Sequence, residues 1–137
     1  MLAQTLTNVL VIAASLAAAL PTSLNPRQSG SGRGTVYLQE GGTGSCGTPN
    51  PDDAIIAAIS DSWMLGESPG PYCGRYIQAT NVGSDDGVGG AGSTFNVLVA
   101  DTCPSCGPGD VDFSVGAWNA LTNGAPYGTF DVVWQFI

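Results

Sequence analysis

The C-terminal stretch "GTFDVVWQFI" sets Phe130, Val132, Trp134 and Phe136 in alternation with Thr129, Asp131, Val133 and Gln135. A period of two places the first set on one side of a strand, so a final strand with one face in a core is predicted. Strand signals recur in "GTVYLQ" (34–39), closed by Gly41, Gly42 and Gly44, and in "GRYIQAT" (74–80) and "TFNVLVAD" (94–101). The last two flank "NVGSDDGVGGAGS", a glycine-rich connection whose Asp85 and Asp86 are expected to face water. A calcium site there would need six or more converging oxygens. Helical signals are fewer. "NPDDAIIAAIS" (50–60) offers Asn50 as N-cap, Pro51 at the first helical position, two acids in the first turn, and Ile55, Ile56 and Ile59 on one side. "SVGAWNALT" (114–122) starts on Ser114 as N-cap and spaces Val115, Trp118 and Leu121 towards a core. Five or six short strands and two short helices predict a mainly β fold closed into a small barrel, which also removes exposed sheet edges.

The N-terminus reads differently. An apolar run from Val9 to Leu20, with Ala17, Ala18 and Ala19 ahead of Pro21, has the form of a signal-peptide core and cleavage site, so residues 1–20 are assigned to a signal peptide. Spanning a bilayer takes about 20 apolar residues, more than this run supplies. Residues 21–33, "PTSLNPRQSGSGR", show no apolar periodicity and are expected to be a disordered leader or propeptide. One domain, 34–137, remains.

A domain of this size is near the limit at which one core suffices, and four cysteines in a secreted chain read as two disulfides. Zinc is disfavoured because the chain has no histidine to join the thiolates. Beyond Arg27 the chain carries Arg33 and Arg75 against eleven acids, a formal charge of −9. Such a surface repels phosphate backbones, which excludes nucleic acid and anionic membrane as partners, and a monomer is expected. Without lysine or histidine there is no Schiff-base lysine, Ser-His-Asp triad or Cys-His pair. Carboxylates, hydroxyls and backbone are left to do chemistry, and no cofactor is implied.

Three segments then fall in order: "GSCGTPN" (44–50), "YCGRYIQAT" (72–80) and "VLVADTCPSCGPGDVDFSVGAWNAL" (97–121), followed by the terminal strand. Together they closely resemble the double-psi β-barrel family of barwin, the rare-lipoprotein-A-like domains, the first domain of expansins and the short fungal expansin-like loosenins. The most specific part is the strand-Asp-x-Cys-x-x-Cys-x-x-x-Asp-x-Asp-Phe-Ser-helix run. The resemblance implies a six-stranded double-psi β-barrel, secreted to a cell wall, with cell-wall polysaccharide (cellulose, chitin or a related glucan) as partner. It also implies a Cys46–Cys73 cystine. Barwin's partner for the third matching cysteine is missing from this chain, leaving Cys103 to close on Cys106, with a redox-active dithiol as the alternative.

By the same resemblance Thr35 corresponds to the first-strand threonine of expansins, Asp101 to the aspartate closing their Val-x-Asp strand, and Asp112 to the aspartate most associated with wall loosening. Asp101 also reads as a turn pin and Asp112 as a cap towards the Ser114 helix. The tyrosine that bacterial expansin-like proteins carry two residues after the first aspartate is Cys103 here. Tyr37, Trp63, Tyr72 and Tyr76 remain as aromatic candidates for a sugar platform, whereas Trp118 and Trp134 read as core. Related endoglucanases place a catalytic base on the first strand; Gln39 stands near that position, with Glu40 the neighbouring acid. A non-hydrolytic binding and loosening role is therefore expected, with burial and a second carboxylate raising the pKa of Asp112. Two other functions share the fold: inhibition of a papain-like cysteine protease through surface loops, and the activity of basidiomycete riboflavin-aldehyde-forming-enzyme-like proteins, for which no flavin motif is visible.

Overall fold

A computed structural model describes residues 28–137. The expected signal peptide and most of the expected leader lie outside the described residues. The chain forms β1 (Ser29–Val36), β2 (Ile56–Ser60), α1 (Asp61–Met64), β3 (Tyr76–Gly83), β4 (Thr94–Cys103), β5 (Val111–Phe113), α2 (Val115–Thr122) and β6 (Phe130–Phe136). The strands close in the order β1-β5-β2-β4-β3-β6. β1 with β5 and β2 with β4 are parallel, and the other four pairs are antiparallel. This is the six-stranded double-psi β-barrel with two short helices.

The alternation in β6 does what a period of two requires: Phe130, Val132, Trp134 and Phe136 are buried and the intervening residues are not. They meet Ile77 and Ala79 of β3, Val97 and Val99 of β4, and Trp118 and Leu121 of α2 in one core. The Ser114 hydroxyl caps α2 by accepting from the Ala117 N–H at 3.1 Å, and Asn123 ends it in the left-handed region.

Two expectations are corrected. Residues 29–33 are the first half of β1, paired with β6 from Ser29↔Gln135 to Gly34↔Phe130, and not leader. The Gly-x-Gly-x-Gly spacing that resembles low complexity is a strand whose small side lies on bulky neighbours. A Cβ on Gly30 would stand 2.6 Å from the Trp134 ring and one on Gly34 2.6 Å from the Phe130 ring. Gly34→Ala is accordingly expected to cost roughly 1–3 kcal/mol in urea unfolding, because the Phe130 ring, 1% exposed, must shift within the core to admit the methyl group.

The helix expected over 50–60 is instead a turn followed by β2. Ile56, Ala57, Ala58 and Ile59 of β2, which runs between β4 and β5, are all buried, so exposure does not alternate along the strand. A short apolar run of this kind has the same periodicity signal in either element. The capping residues serve the turn: Ala54 N–H donates to the Pro51 carbonyl, and Asp52 Oδ1 accepts from Gln39 and Glu40 N–H. The helix forms later, as α1, behind the Ser60 cap.

Cystines join Cys46 to Cys73 and Cys103 to Cys106, with Cα separations of 5.5 and 5.4 Å. Both separations fall in the usual range.

Candidate functional site

Strand register brings together residues that are far apart in the chain. Thr35 pairs with Asp112, Asp112 with Ala58, and Ala58 with Asp101, giving one row across β1, β5, β2 and β4. The strand neighbours Val111, Phe113, Ala57 and Ile59 belong to the core, so Asp112 and Ala58 point away from it, with Ala58 itself covered at 3% exposure. With strands about 4.8 Å apart, the Cα atoms of Asp112 and Asp101 are separated by two spacings, roughly 9.6 Å. Ala58 occupies the position between them. Any larger side chain there would enter the gap between the two carboxylates.

Asp112 is half-buried, and the Thr35 hydroxyl donates to its Oδ1 at 2.9 Å. Burial raises its pKa above the ordinary 3.8, the Thr35 hydrogen bond opposes the rise, and the charge of Asp101 adds to it. Thr35, Asp112, Arg33, Asp110, Ser105 and the Cys103–Cys106 cystine line a cavity of about 100 Å³. Asp110 belongs to the wall. Its Oδ1 accepts from Arg33 N–H and its Oδ2 from Gly107 N–H, pinning the loop after the cystine to β1.

Asp101 is bound differently. Its Oδ1 accepts from the backbone N–H of both Ser45 and Thr102, each at 2.8 Å. It fixes the 44–47 loop onto the end of β4, the turn-pinning role visible in its sequence context. Gly44 makes the contact possible, since a Cβ there would stand 2.7 Å from the Ala100 carbonyl and 2.9 Å from the Asp101 carboxyl carbon.

On the other flank, Tyr37 follows β1, and its N–H donates to the Phe113 carbonyl. Its phenol pKa is pushed up to about 12, chiefly by burial. The Gln39 hydrogen bond opposes that rise, while the charges of Asp101, Asp112 and Asp52 add to it. The phenol therefore keeps its proton at physiological pH. Gln39 Nε2 donates to Tyr37 Oη at 2.9 Å, which leaves Gln39 Oε1 buried without a partner. Glu40 is exposed, with its backbone N–H on Asp52.

Trp63, Tyr72 and Tyr76 do not line the Asp112 cavity. Trp63 is half-buried, donates from Nε1 to the Pro108 carbonyl, and meets Tyr72, Trp134 and Phe136 edge-on with centroids 5.6–5.7 Å apart. Tyr72 stacks on Phe136 at 4.4 Å, and the Arg75 guanidinium lies over both rings. Tyr76 is exposed on β3. Ala58 is the site residue that sequence reasoning missed. Its signal was a small residue inside the run "IIAAIS", readable only once that run is a strand. Among the described residues no group of three or more Cys, Asp or Glu is placed to hold a metal ion.

No protein-family model matches the chain, and no curated protein sequence matches it. Solved structures do. An expansin from Clavibacter michiganensis is 26% identical over 80% of this chain, with a TM-score of 0.61; the chain spans half of that expansin's length. A variant of the same expansin has been solved with cellohexaose. A papain inhibitor from Streptomyces is 28% identical over 82% of this chain and 97% of its own, with a TM-score of 0.60. A β-1,4-endoglucanase from the blue mussel Mytilus edulis, 19% identical over 82% of this chain and 80% of its own at a TM-score of 0.57, shares the fold.

Proposed function

We propose that this is a secreted expansin-like protein that binds cell-wall polysaccharide in the groove over Asp112, Ala58 and Asp101 and loosens it without hydrolysis. The observation that carries this reading is the register row itself. A carboxyl with a raised pKa, held by Thr35, stands two strands from a second carboxylate, with a small residue between. The likeness to an expansin, a variant of which has been solved with cellohexaose, supports it. Two cystines in the barrel suit an oxidising, extracellular setting.

The raised pKa suits Asp112 to donate a proton or hydrogen bond to a glycosidic oxygen. Hydrolysis by inversion would also need a base to activate water. Asp101 has one oxygen committed to two backbone N–H groups, and the neutral Gln39 lies three residues beyond the end of β1. The protonated Tyr37 adds a donor for sugar hydroxyls on one flank. Displacing one chain's hydrogen bonds by another's is work such a set can do.

The test is a creep assay on cellulose and chitin networks under constant load, with reducing ends measured in parallel. Wild type is expected to increase creep with no new reducing ends. Ala58→Val, which narrows the gap between the carboxylates, is expected to weaken cellohexaose binding roughly tenfold. Accumulating reducing ends would make the protein a glycosidase, and no creep on any network would overturn the reading.

A second reading is supported by the Streptomyces papain inhibitor, nearly all of which this chain spans. Inhibition of a papain-like protease that survives Asp112→Asn, together with no effect on polysaccharide, would replace the first reading.

A further inference from the structure

The side of the barrel opposite the Asp112 row is built from β3 and β6, flanked by the N-terminal half of β1 and the first half of β4. Its outward residues also fall into register rows. One row reads Ser29, Gln135, Gln78, Asn96 across β1, β6, β3 and β4, and the next reads Ser31, Val133, Thr80, Thr94. Within them Gln135 Nε2 donates to Gln78 Oε1 at 3.3 Å, and the Thr80 and Thr94 hydroxyls are 2.7 Å apart. These bonds hold the side chains in place at the surface.

Not one of these eight residues is charged, although the described residues carry eleven acids and two arginines. The first charges appear one row further on, where Arg33 pairs with Asp131. At the other end Tyr76, 48% exposed, stands in the same outward column of β3 as Gln78 and Thr80. Ser29, Gln78, Thr80, Val133, Trp134 and Gln135 line a shallow depression of about 220 Å³ between the strands.

We infer that this face is a second contact surface, and that its occupant is an uncharged β-linked polysaccharide chain. Amides and hydroxyls both donate and accept, as the hydroxyls of a polyol do, so each side chain has a match whichever way a sugar hydroxyl points. Val133 and the Tyr76 ring offer apolar surface for the faces of pyranose rings. Four strands about 4.8 Å apart give a platform roughly 14 Å wide, enough for several sugar units side by side with the rows. Net charge decides against the other occupants. A second copy would bring together two proteins of the same large acidic excess, and an anionic polymer would be repelled by that excess around the uncharged face. The surface stands whether or not the Asp112 groove binds sugar.

Titration of ¹⁵N-labelled protein with cellohexaose and chitohexaose, and sedimentation with microcrystalline cellulose and chitin powder, test the inference. Amide shifts at Gln78, Thr80 and Gln135 are expected on wild type. Thr80→Glu with Gln78→Glu, which places charge on the platform, is expected to weaken sedimentation about tenfold. Thr94→Lys with Asn96→Lys repeats the test with the opposite sign and checks that loss is not general acid repulsion. Asp112→Asn is expected to keep these shifts, so failure of the groove reading and failure of this one are distinguishable. Both double variants sedimenting like wild type, or no shifts on this face with either sugar, would overturn it.

Discussion

Asp112→Asn is expected to remove wall loosening, a loss of tenfold or more in creep rate, while the melting temperature at pH 7 stays level or rises. Both halves follow from the environment of one carboxyl. Burial raises its pKa above 3.8, Thr35 partly restrains the rise and Asp101 adds to it. A carboxyl whose folded pKa lies above its unfolded value is penalised on ionising. Below the unfolded pKa both states hold the proton and no penalty exists. As pH rises through the folded pKa the unfolded chain releases its proton first, and stability falls. Asparagine has no charge to bury and keeps an acceptor for the Thr35 hydroxyl, so the variant escapes that loss. What it cannot do is offer an acidic proton. Loosening by wild type is expected to decline as pH rises from acid through the raised pKa, and the variant is expected to be low and flat throughout. The measurement pairs creep across the acid-to-neutral range with thermal melts at the same pH values. A variant that lost stability and activity together at pH 7 would make Asp112 a structural pin like Asp101.

That contrast between the two aspartates was half-legible in the sequence. The context of Asp101, at a strand end before Thr-Cys-Pro, already pointed to a turn, and its hydrogen bonds from Ser45 and Thr102 N–H are those of a pin. The β6 alternation, the α2 cap at Ser114 and the pairing of all four cysteines were also readable, because each depends on local pattern or on a motif of fixed order. What was not readable depends on long-range register. The eleven-residue separation of Asp101 and Asp112 became two strand spacings only when β2 was threaded between β4 and β5. β2 itself was misread as helix because a strand buried on both faces has no alternation to show. Gly30 and Gly32 looked like a leader because their reasons for being small, the Trp134 ring and the Gly109–Asp110 backbone and side chain, lie far downstream. The aromatic candidates divide for the same cause: Tyr37 lies within reach of the charges of Asp101 and Asp112, whereas Tyr76 is exposed on β3.

Replacing Cys46 and Cys73 together by serine is expected to cost roughly 3.5 kcal/mol in urea unfolding, the larger stability loss of the two cystines. The cystine closes 27 residues, against 3 for Cys103 and Cys106, and the chain entropy released in the unfolded state grows with the logarithm of that length. The short loop gives roughly 1.6 kcal/mol by the same relation. For a domain whose total stability is about 5–15 kcal/mol, the first loss is a large share. Its functional effect reaches only part of the site. Cys46 anchors the loop whose Ser45 N–H binds Asp101, and Cys46 N–H itself donates to the Ala100 carbonyl, so the Asp101 end of the row loosens. The Thr35 to Asp112 bond joins adjacent strands β1 and β5 and does not pass through that loop. Below the new melting point, then, the double variant is expected to bind cellohexaose a few-fold more weakly while keeping the raised Asp112 pKa in a carboxyl-carbon NMR titration. Loss of the raised pKa would mean that the 44–47 loop, and not the strand register, creates the environment of Asp112.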